Sequence, residues 1–471
     1  MTDASRPHSA GFATYQDAMD FLFAMVDYEK LSTYKYSLPN FDLRRTERML
    51  GSVGDPHKTM KMLHIAGTKG KGSTAIMAQN ILTKCGCRTG LFTSPHLVDL
   101  EERMTIDGRM MPKDDVRRIM GTLRPYVDSI RREAPEQSPT FFELVTALGF
   151  CYFAEQKVDY GVIEVGMGGR LDSTNVIRPL VSIIAHLDFD HVRRLGPTLD
   201  RIAWEKAGII KPGVPVVCAP QREDALAVIE KTCGERNAPL HLLGRDFELS
   251  GVESSLADDK PHCCFTLRTP ARLLRNVCVP LLGRHQAANA ALAIRSVEIL
   301  EETGGCRLSE QIVRDALAQV RCPARIEVIP GAPLVILDGA HNVAAMEALR
   351  DVLVENLSGR RLFFVFGVAR DKDVDGIIQR FAPLASGIAV TRSDSPRAVP
   401  SFVLLEKAKQ VTHVEVIGTE DAVAALAQAK KWARGNDVII ITGSLYLAGK
   451  LRPHLRPEEY PAPVVQKGSG P

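Results

Sequence analysis

No uninterrupted apolar run in this sequence reaches the roughly 18 residues that a membrane-spanning helix needs, and the opening MTDASRPHSAGFATYQD lacks the apolar centre of a signal peptide. Neither a membrane partner nor a secretory leader is expected, and the chain reads as a soluble cytoplasmic protein. Excess charge is equally scarce. With 59 Lys and Arg against 56 Asp and Glu, the formal net charge of +3 is too mild for a nucleic-acid-binding surface, though it allows a locally basic anion site. The ten cysteines include a C-x-C at Cys85 and Cys87 and an adjacent pair at Cys263 and Cys264, but no paired CxxC of a zinc site. Reduced, mostly buried thiols are the expectation. What the chain does have is length: 471 residues, 45% hydrophobic and 24% charged, exceed the usual single core and predict two or three domains.

The stretch Lys61 to Leu82, KMLHIAGTKGKGSTAIMAQNIL, organises the rest. An apolar run from Met62 to Ala66 is followed by Gly67, Thr68, Lys69, Gly70, Lys71, Gly72 and Ser73, and then by helix-favouring residues, giving strand, glycine loop and helix. That order suits a phosphate cradle. Glycines allow close backbone approach, loop and helix N–H groups point at phosphate oxygens, Lys71 supplies positive charge, and the hydroxyl of Ser73 or Thr74 is placed to ligand magnesium. The spacing differs from G-x-x-x-x-G-K-[ST], because Gly72 separates the lysine from the hydroxyl and Ile65 stands at the first glycine position. A plain glycine turn with solvated lysines is the competing reading.

Along the chain, amphipathic helices are expected at Tyr15 to Val26 and about Asp42 to Gly51, with YKYSLPNF as the turn between them. A strand at Thr89 to Thr93 leads into a polar loop, TSPHLVDLEERMTIDG, whose Ser94 and His96 either face a nucleotide or are ordinary loop polarity. Helices at 112–132 and 141–156 precede a buried strand ending in Glu164, and a strand at 180–187 ends in Asp188, Asp190 and His191. In open α/β sheets, ligands gather at the carboxyl ends of strands, so Glu164 is placed either to hold a metal or to cap its turn, and His191 is either a ligand or a structural histidine. A helix bearing Trp204, Glu205 and Lys206 follows, then short alternating segments from His241 to Leu281, then a strong helix with His285, Gln286 and Asn289 in its first turns. Pro323 breaks the pattern, and a fresh series begins. Its strands are expected at 334–338, 362–367, 387–391, 413–417 and 437–442, and its helices at 343–356, 373–382, 401–409 and 420–432. The predicted fold class is α/β: a P-loop-type, mostly parallel sheet domain with a small antiparallel patch (1–320), a doubly wound Rossmann-like domain (321–455) and a loose tail (456–471).

The motifs GTKGKGS, TSPHL, EVGMGGRLDSTN, a DH with LG and EKAGIIK downstream, HQAANAALA and LDGAHN occur here in the order seen in folylpolyglutamate synthases and dihydrofolate synthases of the Mur ligase superfamily, and the resemblance runs from about residue 15 to 455. It implies an ATP-dependent ligase that adds L-glutamate to a folate or dihydropteroate carboxylate, with magnesium, two ions being the expectation, and a single-chain enzyme. By the same likeness Gly67 to Ser73, Asn289, Arg325, Asp338 and His341 would contact ATP, and Ser94, Glu164 and His191 would ligand magnesium. Lys206 would be a carbamylated lysine that helps to hold metal. Lys71, Lys206 and His341 would carry catalysis. Thr140, Phe141, Phe142, Glu143, Leu171, Asp172 and Ser173 would line the pterin-bearing substrate, with Asp42 and Leu43 as weaker candidates. Lys69 departs from the bacterial GTNGKGS and resembles the eukaryotic polyglutamate-adding enzymes. Two rivals are a cell-wall ligase, which normally needs a further N-terminal domain where only about 60 residues precede the loop, and a P-loop switch without ligase activity.

Overall fold

The computed structural model describes residues 11–29, 31 and 41–460. The turn expected at YKYSLPNF falls almost wholly outside these described residues. The chain divides into two compact units, one made of residues up to Ser255 with Pro261–Cys322, the other of Leu256–Lys260 with the chain from Pro323 onward.

In the first unit β1 (Lys61–Ala66), β2 (Thr89–Phe92), β3 (Met104–Ile106), β4 (Arg109–Met110), β5 (Tyr160–Glu164), β6 (Val181–Ile184), β7 (Val216–Cys218) and β8 (Leu240–Leu242) form one sheet in the order β4-β3-β2-β5-β1-β6-β7-β8. Strand β1 lies between β5 and β6, parallel to both, while β3 and β4 close one edge antiparallel. Apart from His64, the interior of β1 is apolar at successive positions because both of its faces are covered. Leu63 and Ile65 share a core with Ala75 and Ala78 of the helix Lys71–Lys84 and with Ala290 and Ile294 of the helix His285–Glu302. Met62 packs on the other face with Phe92, Phe150 and Ile163. Burial of Met62, Leu63 and Ile65 contributes about 1.5–3 kcal/mol each. This outweighs the roughly 0.5–1 kcal/mol entropic cost of each glycine in the loop that follows, so the loop is held in place by its strand.

The polar loop expected after Thr93 contains β3 and leads into β4, two strands too short to show alternation in the sequence. The expected antiparallel patch is a second sheet, β9 (Glu248–Ala257), β10 (Lys260–Arg268) and β11 (Leu273–Val279), in the order β11-β10-β9. Here the reduced-thiol expectation is corrected: Cys264 and Cys278 are directly opposed on β10 and β11 and form a disulfide.

The second unit is a sheet of β12 (Glu327–Ile329), β13 (Leu334–Leu337), β14 (Leu362–Phe366), β15 (Ala385–Thr391), β16 (Val416–Thr419) and β17 (Val438–Thr442), ordered β12-β13-β17-β14-β15-β16. All its pairings are parallel except that of edge strand β12 with β13. The described part of the tail, 456–460, is not loose. A further helix, Leu445–Leu455, carries Pro453 in its last turn, and the buried Arg452 guanidinium binds Glu327, Glu459 (2.6 Å) and the Tyr460 hydroxyl (2.7 Å). Proline in a sequence reads as a stop because it forgoes an i to i−4 hydrogen bond, but here the ion pairs of Arg452 hold the helix end.

Candidate active site

The strand order brings the carboxyl ends of β2, β5, β1 and β6 side by side, and the polar groups of the first unit gather there. The chain leaves β1 through Gly67, where a Cβ would sit 2.8 Å from the Ala185 Cβ, so only glycine fits. The next residues are latched to the end of β6. The Thr68 and Lys69 N–H groups donate to the His186 carbonyl (2.9 and 3.1 Å), the Thr68 hydroxyl donates to the Asp188 carbonyl (3.0 Å) and accepts from the Asp188 N–H (3.1 Å). Gly70, at φ 83°, precedes the helix Lys71–Lys84, and a side chain there would collide with the Asn289 amide. Asn289, itself buried and bonded to Gln286 (3.0 Å), is thereby seated on the loop from more than two hundred residues away.

Helix-start amides and two lysines converge at this loop. The Lys71 ammonium donates to the Gly67 carbonyl at 3.1 Å, and Lys206 donates to the same oxygen at 2.8 Å. Lys206 is 5% exposed. Burial, and then the Lys71 charge, push its pKa down to about 7 despite the Asp190 and Asp172 carboxylates nearby. Its helix, Leu199–Ala207, is clamped by the glycine turn after β5. A Cβ on Gly169 would meet the Glu205 and Lys206 carbonyls at 2.9 and 3.0 Å, Arg170 binds Glu205 through two hydrogen bonds (2.9 and 3.1 Å), and the same guanidinium lies 4.4 Å from the Trp204 ring centre.

Glu164, at the end of β5, is 2% exposed, accepts from the Ser94 N–H (3.2 Å) and lies where a Cβ on Gly72 would be 3.5 Å from Oε2. Ser94, Glu164 and the first turn of the loop helix therefore adjoin. His191 has a left-handed φ of 51°, and its Nε2 lies 3.9 Å from Asp190. Among the described residues no three His, Cys, Asp or Glu side chains converge as a metal cage. A carboxylate and hydroxyl oxygens beside a helix start still fit magnesium, which keeps several waters and needs only one or two protein carboxylates. Of the two hydroxyls left open by the sequence, both are buried, and that of Thr74 makes no hydrogen bond. His96 does not point to a separate role: its Nδ1 accepts from Arg103 (2.8 Å), which forms a two-bond ion pair with Glu29.

The expected substrate residues divide by burial. Thr140 and Glu143 form the capping box of the helix Phe141–Glu155, and Glu143 pairs with Arg45 at 2.8 Å, both side chains buried. Phe141 is buried beneath Arg103, whereas Phe142 is only partly buried, beside Phe92 and Gly166. Leu171 is buried, and Ser173 shares a hydrogen bond with Thr146 (2.7 Å). Asp172 is fully enclosed. Burial raises its pKa, against hydrogen bonds from Thr174 and from the Met167 N–H (2.9 Å). The Thr174 hydroxyl meets buried His64 (2.9 Å), a residue whose position inside an apolar strand was its only sequence signal. Asp42 caps the helix Leu43–Ser52 and holds Arg44, with Leu43 partly exposed.

In the second unit, Asp338 follows β13 and is buried, accepting from the Ile326 and Ala340 N–H groups (both 2.8 Å). Burial raises its pKa, and these amides and then Arg325 oppose the rise. Asp338 thus fixes the turn that carries exposed Arg325. His341 Nδ1 lies 2.7 Å from the Gly339 carbonyl, which can only accept, so Nδ1 carries the proton in this contact.

Comparison with known proteins shows the family. Residues 65–297 match the Mur ligase middle domain, and residues 324–445 match the Mur ligase glutamate ligase domain. The dihydrofolate synthase/folylpolyglutamate synthase of Bacillus subtilis is 32% identical over 446 residues, 94% of this chain and the whole of that protein. The folylpolyglutamate synthase of Thermotoga maritima superposes with a TM-score of 0.81 at 33% identity, covering 94% of this chain and 96% of its own. The Mycobacterium tuberculosis folylpolyglutamate synthase complexed with ADP gives 0.83 at 31%, covering 94% and 98%. Similarity of this extent through both units shows that the chain belongs to the folylpolyglutamate synthase/dihydrofolate synthase family of Mur ligases.

Proposed function

We propose that this protein is an ATP-dependent ligase that joins the α-amino group of L-glutamate to the carboxylate of a folate-type substrate, in dihydropteroate-to-dihydrofolate conversion, polyglutamate extension or both. The observation that carries the reading is the cluster at the carboxyl edge of the first sheet: a glycine loop opening a helix, two lysines on one loop carbonyl, and Glu164 with Ser94 against the helix start. A carboxylate is a poor acyl donor at neutral pH. Its oxygen first attacks the γ-phosphorus of ATP to give an acyl phosphate and ADP, and the glutamate amine then displaces phosphate through a tetrahedral oxyanion, losing a proton as the amide forms. The helix-start amides and Lys71 stabilise charge on the transferring group. Magnesium, which Ser94, Glu164 and His191 would hold with Lys206 as a carbamate, supplies further neutralisation of phosphate charge when bound. Asn289, Arg325, Asp338 and His341 are assigned to ATP, and Phe142, with the buried TFFE and LDS segments behind it, to the pterin side. No protein nucleophile is needed; positioning and electrostatics supply most of the acceleration. The enzyme acts as a monomer in the cytoplasm. No helix among the described residues is long and apolar enough to cross a membrane.

The test is direct. Purified protein given ATP, magnesium, glutamate and either dihydropteroate or tetrahydrofolate should release phosphate only when glutamate is present, and the product mass should rise by one or more glutamyl residues. Phosphate release that ignores glutamate would overturn the reading in favour of a nucleotide switch. A Glu164→Gln variant, losing one charge from the metal side of the site, should need roughly ten- to hundredfold more magnesium for half-maximal rate, since an interaction with a charged group is worth on the order of 1.5–3 kcal/mol. An unchanged magnesium titration would remove Glu164 from the metal site.

A further inference from the structure

Lys69 is the loop residue that departs from the bacterial pattern, and the structure shows what it is joined to. Its ammonium lies 2.9 Å from Asp188 Oδ2, at the end of the neighbouring strand β6, with both side chains only partly exposed. The Thr68 and Lys69 N–H groups are already committed to the His186 carbonyl, so this half of the loop is anchored to β6 while the amides from Gly70 onward open the helix. We propose that Lys69 is a positioning residue that serves the nucleotide site by neutralising Asp188, not by binding phosphate itself; this rests on the reading of the loop as the ATP site.

An unpaired carboxylate at this point would face a polyanionic ligand beside the loop. Partial burial works to raise the Asp188 pKa, but the Lys69 hydrogen bond and the Phe189 N–H outweigh it and hold the group ionised. The neighbouring histidines do not replace the lysine. Burial, then the Lys69 charge, lowers His186 against the pull of Asp188, and the same two causes in the same order bring His285 down to about 4, so beside Lys69 the histidines are held toward their neutral forms. Lys69 and Asp188 therefore form a charge-balanced pair.

Mutual suppression distinguishes this from direct phosphate contact. Binding of the magnesium complex of a non-hydrolysable ATP analogue is measured by calorimetry on the full-length wild type, Lys69→Asn, Asp188→Asn and the double variant, each with its melting temperature checked. Lys69→Asn should weaken binding about tenfold or more, the equivalent of about 1.4 kcal/mol. Asp188→Asn should bind as the wild type or tighter, and the double variant should return to within about threefold of the wild type. A double variant as weak as Lys69→Asn would assign Lys69 to the phosphates and overturn the proposal, as would a Lys69→Asn variant that binds normally or an Asp188→Asn variant that binds more than about threefold worse. Failure of the wild type to bind the analogue would instead refute the nucleotide reading.

Discussion

Replacing Lys71 by alanine should lower kcat by about 10²–10³-fold, the loss of about 3–4 kcal/mol that follows removal of one preorganised charge-stabilising donor. Lys71 opens the loop helix, so on the proposed reading its ammonium and the first-turn amides act at the same place, where negative charge spreads over the transferring phosphoryl oxygens. The fold should survive. The side chain is partly exposed, its bond is to one backbone carbonyl, and Lys206 donates to that same oxygen. The melting temperature should therefore change little while turnover collapses, and the KM for the folate-type substrate should move less than kcat. Near-normal kcat in Lys71→Ala would contradict the phosphate assignment of the whole loop.

Lys206→Ala should be inactive for a different reason, with partial rescue by short carboxylates such as formate or acetate. An amine whose pKa is near 7 is largely neutral at pH 8 and largely protonated at pH 6. The neutral form is the one that adds CO2, so carbamate occupancy and wild-type rate should fall together as pH drops through 7 in CO2-depleted buffer and recover with bicarbonate at pH 8. An intact-mass measurement showing unmodified lysine in fully active enzyme would refute the carbamate. The same amine leaves a mark on stability in the absence of CO2. Between about 7 and its ordinary value of 10.5 the unfolded chain holds a proton that the folded chain lacks. Unfolding then takes up protons, so this group makes stability rise with pH across that window, and Lys206→Met should flatten the slope.

How much of this was legible in the sequence depended on whether a signal was local. Strand, glycine loop and helix at 61–84 are visible because an apolar run, three glycines and good helix formers follow one another, and the structure places the elements at Lys61–Ala66 and Lys71–Lys84. Motif resemblance added Asn289, which no local pattern would attach to Gly70. Other features lay beyond reach. The Cys264–Cys278 bond depends on strand register, and Arg452 is drawn in by Glu327, 125 residues away. The TFFE segment read as substrate-facing, but its capping box and the Arg45 pair commit Glu143 to the interior.

Strand β1 sits between two neighbours that the chain reaches only at residues 160 and 181, and the loop behind it touches a side chain that arrives at residue 289. On a ribosome, the stretch proposed to cradle the triphosphate is made early and must wait with its apolar strand unpaired through two further crossovers. A nascent chain halted before Asn289 would carry every glycine and lysine of the loop yet lack the amide that occupies the space beside Gly70, so the loop's packing is completed late in synthesis.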